Sequence, residues 1–124
     1  MKNIQINKIV KEISKNKDIL AVYLFGSFRD KTNGPRSDAD ICVIGKLNDN
    51  EKKKILRESP EVLDISFFDE LPIFIKVRVF KFGKELYLKN QKEIDLIKLN
   101  TLKEYRDFML FVGKRVKEVF ENVR

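Results

Sequence analysis

The sequence contains no histidine and a single cysteine, and each shortage excludes a class of chemistry. Without histidine, the chain alone cannot build a Ser-His-Asp or Cys-His catalytic site, or a histidine metal site. Cys42 alone cannot form a disulfide within the chain or a cysteine zinc site, and a strand cysteine is most often a small buried hydrophobe. General acid–base chemistry therefore falls to carboxylates, lysine, tyrosine or metal-bound water.

Long apolar runs are also missing. No stretch approaches the roughly 20 apolar residues needed to cross a bilayer. The first ten residues alternate lysine and asparagine with isoleucine, which is not typical of a signal peptide. At 124 residues, with 43% hydrophobic and 36% charged residues, we expect a single domain, cytoplasmic and without a membrane partner.

The formal net charge is +7, from 26 basic and 19 acidic residues. A basic surplus is typical of nucleic-acid binding or of a lysine-rich solvated surface. No aromatic residue is interleaved with the lysines of residues 51–54, as a base-stacking surface would require, so that run is interpreted as the exposed face of a short helix. We interpret the charge as favouring a triphosphate and an acidic protein partner, and nucleic acid as acceptor is a minority alternative.

The pattern of apolar residues predicts alternating helices and strands. Residues 71–82 are ambiguous, because their alternation favours a strand. Asp69 and Glu70 before Pro72, together with Gly83 at the end, are typical of a helix, and we predict a helix there. The predicted helices are 3–16, a short one from Ser27, 50–58 and about 91–122, and the predicted strands are 19–25, 38–44, 61–68 and 85–88.

The last helix carries an apolar stripe at helical spacing. About 30 residues span roughly 45 Å, whereas a domain of this size measures about 35 Å across, so the helix is expected to bend or to project. Thr101 and Glu104 have the spacing of a capping box, which favours a break at Asn100 and Thr101. Leu110 and Phe111 lie off the stripe, either as isolated surface residues or as part of a protein interface.

The segment from Gly26 to Asp40 reads G-S-F-R-D-K-T-N-G-P-R-S-D-A-D. Gly26 and Ser27 close an apolar run of strand length, and glycine lets a phosphate approach the backbone closely. Asp38 and Asp40 share one face of the next strand, about 6.6–6.8 Å apart along the chain. The combination suits a nucleoside triphosphate and its metal ions. The alternative is a surface turn followed by a core strand with acids at its mouth.

A third acid, Asp64, interrupts a strand in which Leu63, Ile65 and Phe67 alternate with more polar positions. Aspartate is disfavoured in strands, and burial of its charge without a partner is costly. Three carboxylates within about 4 Å repel one another by several kcal/mol at an effective dielectric of about 20. Mg²⁺ would neutralise such a cluster. The alternative is an edge-strand acid that points to solvent.

These residues resemble the nucleotidyltransferases of the DNA polymerase β superfamily, in particular its minimal nucleotidyltransferase (MNT) branch. The likeness rests on G-S, ten residues, D-x-D, then L-D-I, and on residues 71–88, which are similar to MNT proteins paired with HEPN proteins in toxin–antitoxin systems. It covers about residues 19–90. It implies an α/β (α+β) nucleotidyltransferase fold, a small mixed sheet flanked by helices, with a long C-terminal helix.

The resemblance also implies roles for the matching residues. Gly26 and Ser27 would hold the β- and γ-phosphates of ATP. Asp38 and Asp40 would bind two Mg²⁺ ions, and Asp64 would complete the second metal site and accept the proton of the attacking hydroxyl. The physical logic is that of two-metal catalysis, with AMP transferred and pyrophosphate released.

The partner implied by the resemblance is a HEPN ribonuclease toxin that receives AMP on a tyrosine, so that the chain acts as its antitoxin. The alternatives are a non-catalytic antitoxin that acts by binding, and nucleotidyl transfer to RNA or a small molecule. Many relatives place a basic residue three positions after the serine, where this chain has Asp30. Whether Arg29, Lys31, Arg36 or Arg78 contacts the triphosphate is left open.

Overall fold

One mixed sheet forms the centre of the protein. The computed structural model describes residues 3–25, 39–61 and 63–122. In these ranges four strands pair in the order β3-β2-β1-β4, so that β3 and β4 are the edges. β1 is antiparallel to both β2 and β4, and β2 is parallel to β3. The strands are β1 (Ile19–Phe25), β2 (Ala39–Gly45), β3 (Leu63–Phe67) and β4 (Lys84–Leu88).

One helix precedes the strands, and the others lie between and after them. The helices are α1 (Asn3–Ile13), α2 (Asp49–Glu58), α3 (Ile73–Phe82) and α4 (Gln91–Asn122), with a 3₁₀ turn at Phe68–Glu70. The predicted helix at 71–82 is therefore confirmed, and Pro72 is its N-cap. The mixed sheet with flanking helices and a long C-terminal helix confirms the predicted fold class.

The two central strands are buried on both faces, which explains their continuous apolar sequences. Alternate residues of β1 and β2 enter two cores. The first core contains the inner face of α1, and the second contains Val79 of α3 and Ile94 of α4. The strand residues of the first core are Val22, Leu24, Ile41 and Val43, and those of the second are Ala21, Tyr23, Cys42 and Ile44.

Two local features fix how β1 and β2 pair. The register shifts between Ile19 and Ala21, so Ile19 enters the same core as Val22. At the other strand a Cβ on Gly45 would lie 2.4 Å from the carbonyl oxygen of Asp18. Only glycine permits this close approach of the two backbones.

Helix α2 begins with a capping box. The Asn48 side chain accepts from the Glu51 amide at 2.8 Å, and the Glu51 carboxylate accepts from the Asn48 amide at 3.2 Å. The other Glu51 oxygen accepts from the Asn16 side chain at 2.6 Å. One carboxylate thus caps α2 and ties it to the turn after α1.

Helix α4 is unbroken over 32 residues, so the predicted break at Asn100 and Thr101 is wrong. The hydroxyl of Thr101 donates to the carbonyl of Ile97 at 2.7 Å, inside the helix, and Thr101 is buried. Since the hydroxyl is satisfied by its own helix, it does not cap a new one. At 1.5 Å per residue α4 is about 48 Å long, and only Ile94 and Thr101 in it are buried. Of the two expectations, that the helix bends or that it projects, the structure agrees with the second.

None of the described helices combines the length and apolarity required to cross a membrane.

Candidate active site

The strand register brings two of the predicted acids together. Asp40 of β2 is the direct partner of Asp64 of β3 in the parallel ladder. Neighbouring strands lie about 4.7–4.9 Å apart, and paired residues project from the same face. Asp40 is half-buried and Asp64 is exposed. Two carboxylates thus lie side by side at the end of the sheet where β2 and β3 begin, which we call the mouth of the sheet.

The pairing of β1 with β2 sets where this pair lies. Phe25, the last residue of β1, is the partner of Asp40. Gly26 and Ser27 follow Phe25 in the chain, and Asp38 precedes β2. All three of these predicted site residues lie outside the described residues, so their roles stay predictions.

The sequence left two interpretations of Asp64 open, and the structure bears on both. β3 is an edge strand and Asp64 is exposed, as expected for an acid that points to solvent. The pairing with Asp40 is what a shared metal site requires. Among the described residues no three His, Cys, Asp or Glu side chains are grouped to hold a metal ion. The predicted third ligand, Asp38, lies outside the described residues.

An aromatic cluster packs on the same face of the sheet as Asp40, farther from its mouth. Tyr23 and Phe80 meet edge to face at 5.6 Å, and Phe68 and Phe80 at 5.1 Å. The Tyr23 hydroxyl donates to Glu85 of β4 at 3.1 Å. Burial, followed by the bond to Glu85, raises the pKa of Tyr23 well above its ordinary value. Tyr23 therefore stays protonated and supports the sheet rather than acting as a base.

Cys42 lies two residues beyond Asp40 on the same face and is fully buried. Burial, with a smaller effect of the Asp69 charge, raises the pKa of Cys42 to about 12. A protonated, enclosed thiol is neither a nucleophile nor a metal ligand. The residue packs as a small hydrophobe.

Lys52 is a supporting residue that the sequence did not reveal. It comes from the lysine run of α2, which was predicted to be solvated, yet its side chain is only 13% exposed. Its ammonium contacts Glu70 at 2.7 Å and Asp69 at 3.0 Å, and lies over the Phe67 ring. The hydrogen bonds to Glu70 and Asp69 raise its pKa. Lys52 thus ties α2 to the turn that follows β3, the strand of Asp64.

No local sequence signal marks Lys52, because its partners are 17 and 18 residues away in the chain. Of the basic residues left open as triphosphate contacts, Arg78 is exposed on α3. Arg29, Lys31 and Arg36 lie outside the described residues.

Comparison with known proteins identifies the family and the fold. The polymerase β nucleotidyltransferase family matches residues 7–92. A Methanocaldococcus jannaschii protein named as a protein adenylyltransferase is 36% identical over 75 residues. That match spans 56% of this chain and 61% of the relative, less than two thirds of its length.

Two solved structures resemble the whole fold. One is a toxin–antitoxin complex with AMP-PNP, with a TM-score of 0.70 at 18% identity, over 92% of this chain and 98% of the other. The second is a complex of tri-AMPylated Shewanella oneidensis HEPN toxin with MNT antitoxin, with a TM-score of 0.70 at 22% identity, over 97% and 99%. Both confirm the predicted fold. The family match covers residues 7–92, which include the paired acids Asp40 and Asp64. The chain belongs to the polymerase β nucleotidyltransferase family.

Proposed function

We propose that this chain is a Mg²⁺-dependent protein adenylyltransferase, which transfers AMP from ATP to a tyrosine hydroxyl of a HEPN ribonuclease toxin and so acts as its antitoxin. The single observation that carries the proposal is the pairing of Asp40 with Asp64 in a chain of this family. The family supports nucleotidyl transfer. The name of the Methanocaldococcus relative supports a protein as acceptor.

The donor set of the site fits magnesium. Mg²⁺ prefers carboxylate oxygens and completes its shell with phosphate oxygens and water. Asp40 and Asp64 offer such oxygens from neighbouring strands, and Asp38 is two residues before Asp40. When bound, a pair of ions neutralises the acids and stabilises the charge of the entering and leaving oxygens. We assign Asp38 and Asp40 to both ions and Asp64 to the second.

The remaining roles follow from the balance of the reaction. The acceptor oxygen forms a bond to the α-phosphorus of ATP, and the bond from that phosphorus to the oxygen bridging the β-phosphate breaks. Pyrophosphate carries the electron pair away. Asp64 takes the proton of the acceptor hydroxyl, and its exposed position on an edge strand leaves room for a large acceptor. Gly26 and Ser27 are assigned to the β- and γ-phosphates.

The acceptor is assigned as a HEPN toxin because the two solved structures described above are toxin–antitoxin complexes, one of them with an AMPylated HEPN toxin. The +7 charge of the chain is compatible with a triphosphate substrate and an acidic partner. Tyrosine carries a hydroxyl that can accept AMP.

The proposal requires a HEPN protein encoded near this chain, and the test is transfer of label from α-labelled ATP to that protein. We expect Mg²⁺-dependent label on tyrosine, lost with a chelator and with Asp40→Asn or Asp64→Asn. Absence of label with the unmodified chain, or label that neither substitution reduces, would overturn the enzymatic proposal. A double variant, Asp38→Asn with Asp40→Asn, that still neutralises the toxin fully would favour inhibition by binding instead.

A further inference from the structure

The C-terminal two thirds of α4 carries an apolar surface that the described residues do not cover. We call residues 102–122 the tip helix. Phe111 is 56% exposed, Leu110 is 68% exposed and Phe120 is 74% exposed. The other large hydrophobics exposed on this segment are Leu102, Phe108, Met109, Val116 and Val119.

The apolar surface of the tip helix is organised rather than scattered. Ile94 and Thr101, the buried residues of α4, are seven positions apart. From Leu102 onward, hydrophobic residues recur at alternating spacings of three and four, which is the spacing of residues that pack against other helices. The residues in this series are Leu102, Tyr105, Met109, Val112, Val116 and Val119.

Four consecutive large hydrophobics, residues 108–111, distinguish two kinds of partner. At 3.6 residues per turn these four side chains point in every direction around the helix. This one turn is therefore apolar on all sides, and helical surface of that kind is normally buried on all sides. A second copy of one helix would cover only one face. A groove between several helices would enclose the segment.

The charge of the tip helix argues against nucleic acid and anionic membrane. It carries five basic and four acidic residues, a net +1, although the whole chain carries +7. Several of these charges pair with one another, as in Arg115 with Glu118 at 3.7 Å and Lys117 with Glu121 at 3.9 Å. Binding to phosphates or to anionic lipid depends on a concentrated positive face, which the tip helix lacks.

The exposed area is large enough for a specific interface. The eight exposed hydrophobics of the tip helix together leave roughly 900 Å² in water, taking about 200 Å² for each fully exposed large side chain. Each partner in a standard protein interface contributes about 800 Å².

We propose that the tip helix is the docking element of this chain and inserts into an apolar groove between helices of the HEPN partner. This inference rests on the proposed function for the identity of the partner. It assigns binding to a surface separate from the acids of β2 and β3. Docking through a projecting helix holds the partner while its hydroxyl reaches Asp64.

The experiment compares charged substitutions at matched positions. Leu110→Asp and Phe120→Asp change the tip helix, and Leu56→Asp and Phe74→Asp change hydrophobics that are each 50% exposed on α2 and α3. Each variant is titrated against the purified HEPN protein by calorimetry. We expect each tip variant to weaken Kd at least 100-fold and each control variant to leave it within threefold. Circular dichroism checks that all four variants fold, and Phe111→Gln serves as a milder tip variant.

The outcomes separate this inference from the proposed function. If the tip variants bind as tightly as the unmodified chain while label transfer is intact, the docking inference is wrong and the enzymatic proposal stands. If the tip variants lose binding but the unmodified chain transfers no label, the docking inference stands and the enzymatic proposal is wrong. A dimer of this chain alone, shown by light scattering and dissolved by Leu110→Asp, would identify a second copy as the occupant and overturn the assignment.

Discussion

Large apolar residues are frequent both in the central strands β1 and β2 and in the tip helix, but their burial differs between the two regions. In the strands nearly all of these side chains are buried in one of two cores. In the tip helix none is buried, and the segment is helical without a core of its own. The difference indicates a division of labour: the sheet stabilises the fold and carries the acids, and the helix offers apolar surface to another molecule.

The largest expected effect separates these two regions by function. Asp40→Asn removes a proposed metal ligand, and loss of even an outer-shell partner costs 10–100-fold. We expect AMP transfer to fall by at least about 100-fold while the Kd for the HEPN partner stays within threefold. Leu110→Asp should instead weaken the Kd for the HEPN partner and leave AMP transfer intact at saturating partner concentration. Initial rates measure AMP transfer, and calorimetric titrations measure Kd. If each variant lost both transfer and binding, catalysis and docking would not lie in separate regions.

The second prediction compares stability. Ile41 is fully buried, and Ile41→Ala should lower the free energy of unfolding by about 2–5 kcal/mol. Val119 is 59% exposed, and Val119→Ala should change it by less than about 0.5 kcal/mol. Urea unfolding followed by far-ultraviolet dichroism gives both values. Equal losses would mean that the tip helix packs within the monomer.

The third prediction concerns Glu51, which links α2 to the turn after α1, away from the tip helix. The hydrogen bond from Asn16, followed by that from the Asn48 amide, lowers the pKa of Glu51 below its usual value of 4.5. A lowered folded pKa means that the stabilisation is complete above pH 4.5 and is lost as the pH falls through the folded value. The advantage of the unmodified chain over Glu51→Gln in urea should therefore be present at pH 6 and shrink toward pH 3. A difference that does not vary with pH would contradict the capping role.

The smallest effect is expected at Gly113 of the tip helix. A Cβ added there meets nothing within 4 Å, so packing within the chain does not require glycine. Alanine is about 1 kcal/mol better than glycine inside a helix. Gly113→Ala should slow amide hydrogen exchange in the tip helix severalfold and leave exchange in β1 unchanged. Faster exchange would indicate that glycine has a structural role in the isolated chain.

Much of the fold could be predicted from the sequence, because the two central strands are apolar on both faces and several helices have residues typical of helix ends. The bounds of β1 match the prediction, and Gly83 correctly marked the end of α3. The break at Thr101 was wrong because capping spacing also fits a threonine whose hydroxyl bonds back to its own helix.

The candidate site could be predicted in part. Period-two alternation placed Asp40 and Asp64 each on a strand, but only the register of β2 with β3 makes them direct partners. Lys52 could not be found, since its ion pairs depend on tertiary contacts over 17 and 18 residues. The roles of Gly26, Ser27 and Asp38 stay predictions.

The central claim is that the paired acids make this chain an enzyme acting on a protein. Intact mass spectrometry of the HEPN partner, incubated with the chain, ATP and Mg²⁺, tests it most directly. We expect a mass increase by one or more AMP units with the unmodified chain and none with Asp40→Asn or Asp64→Asn. An unchanged mass with the unmodified chain, or the same increase with both variants, would contradict it.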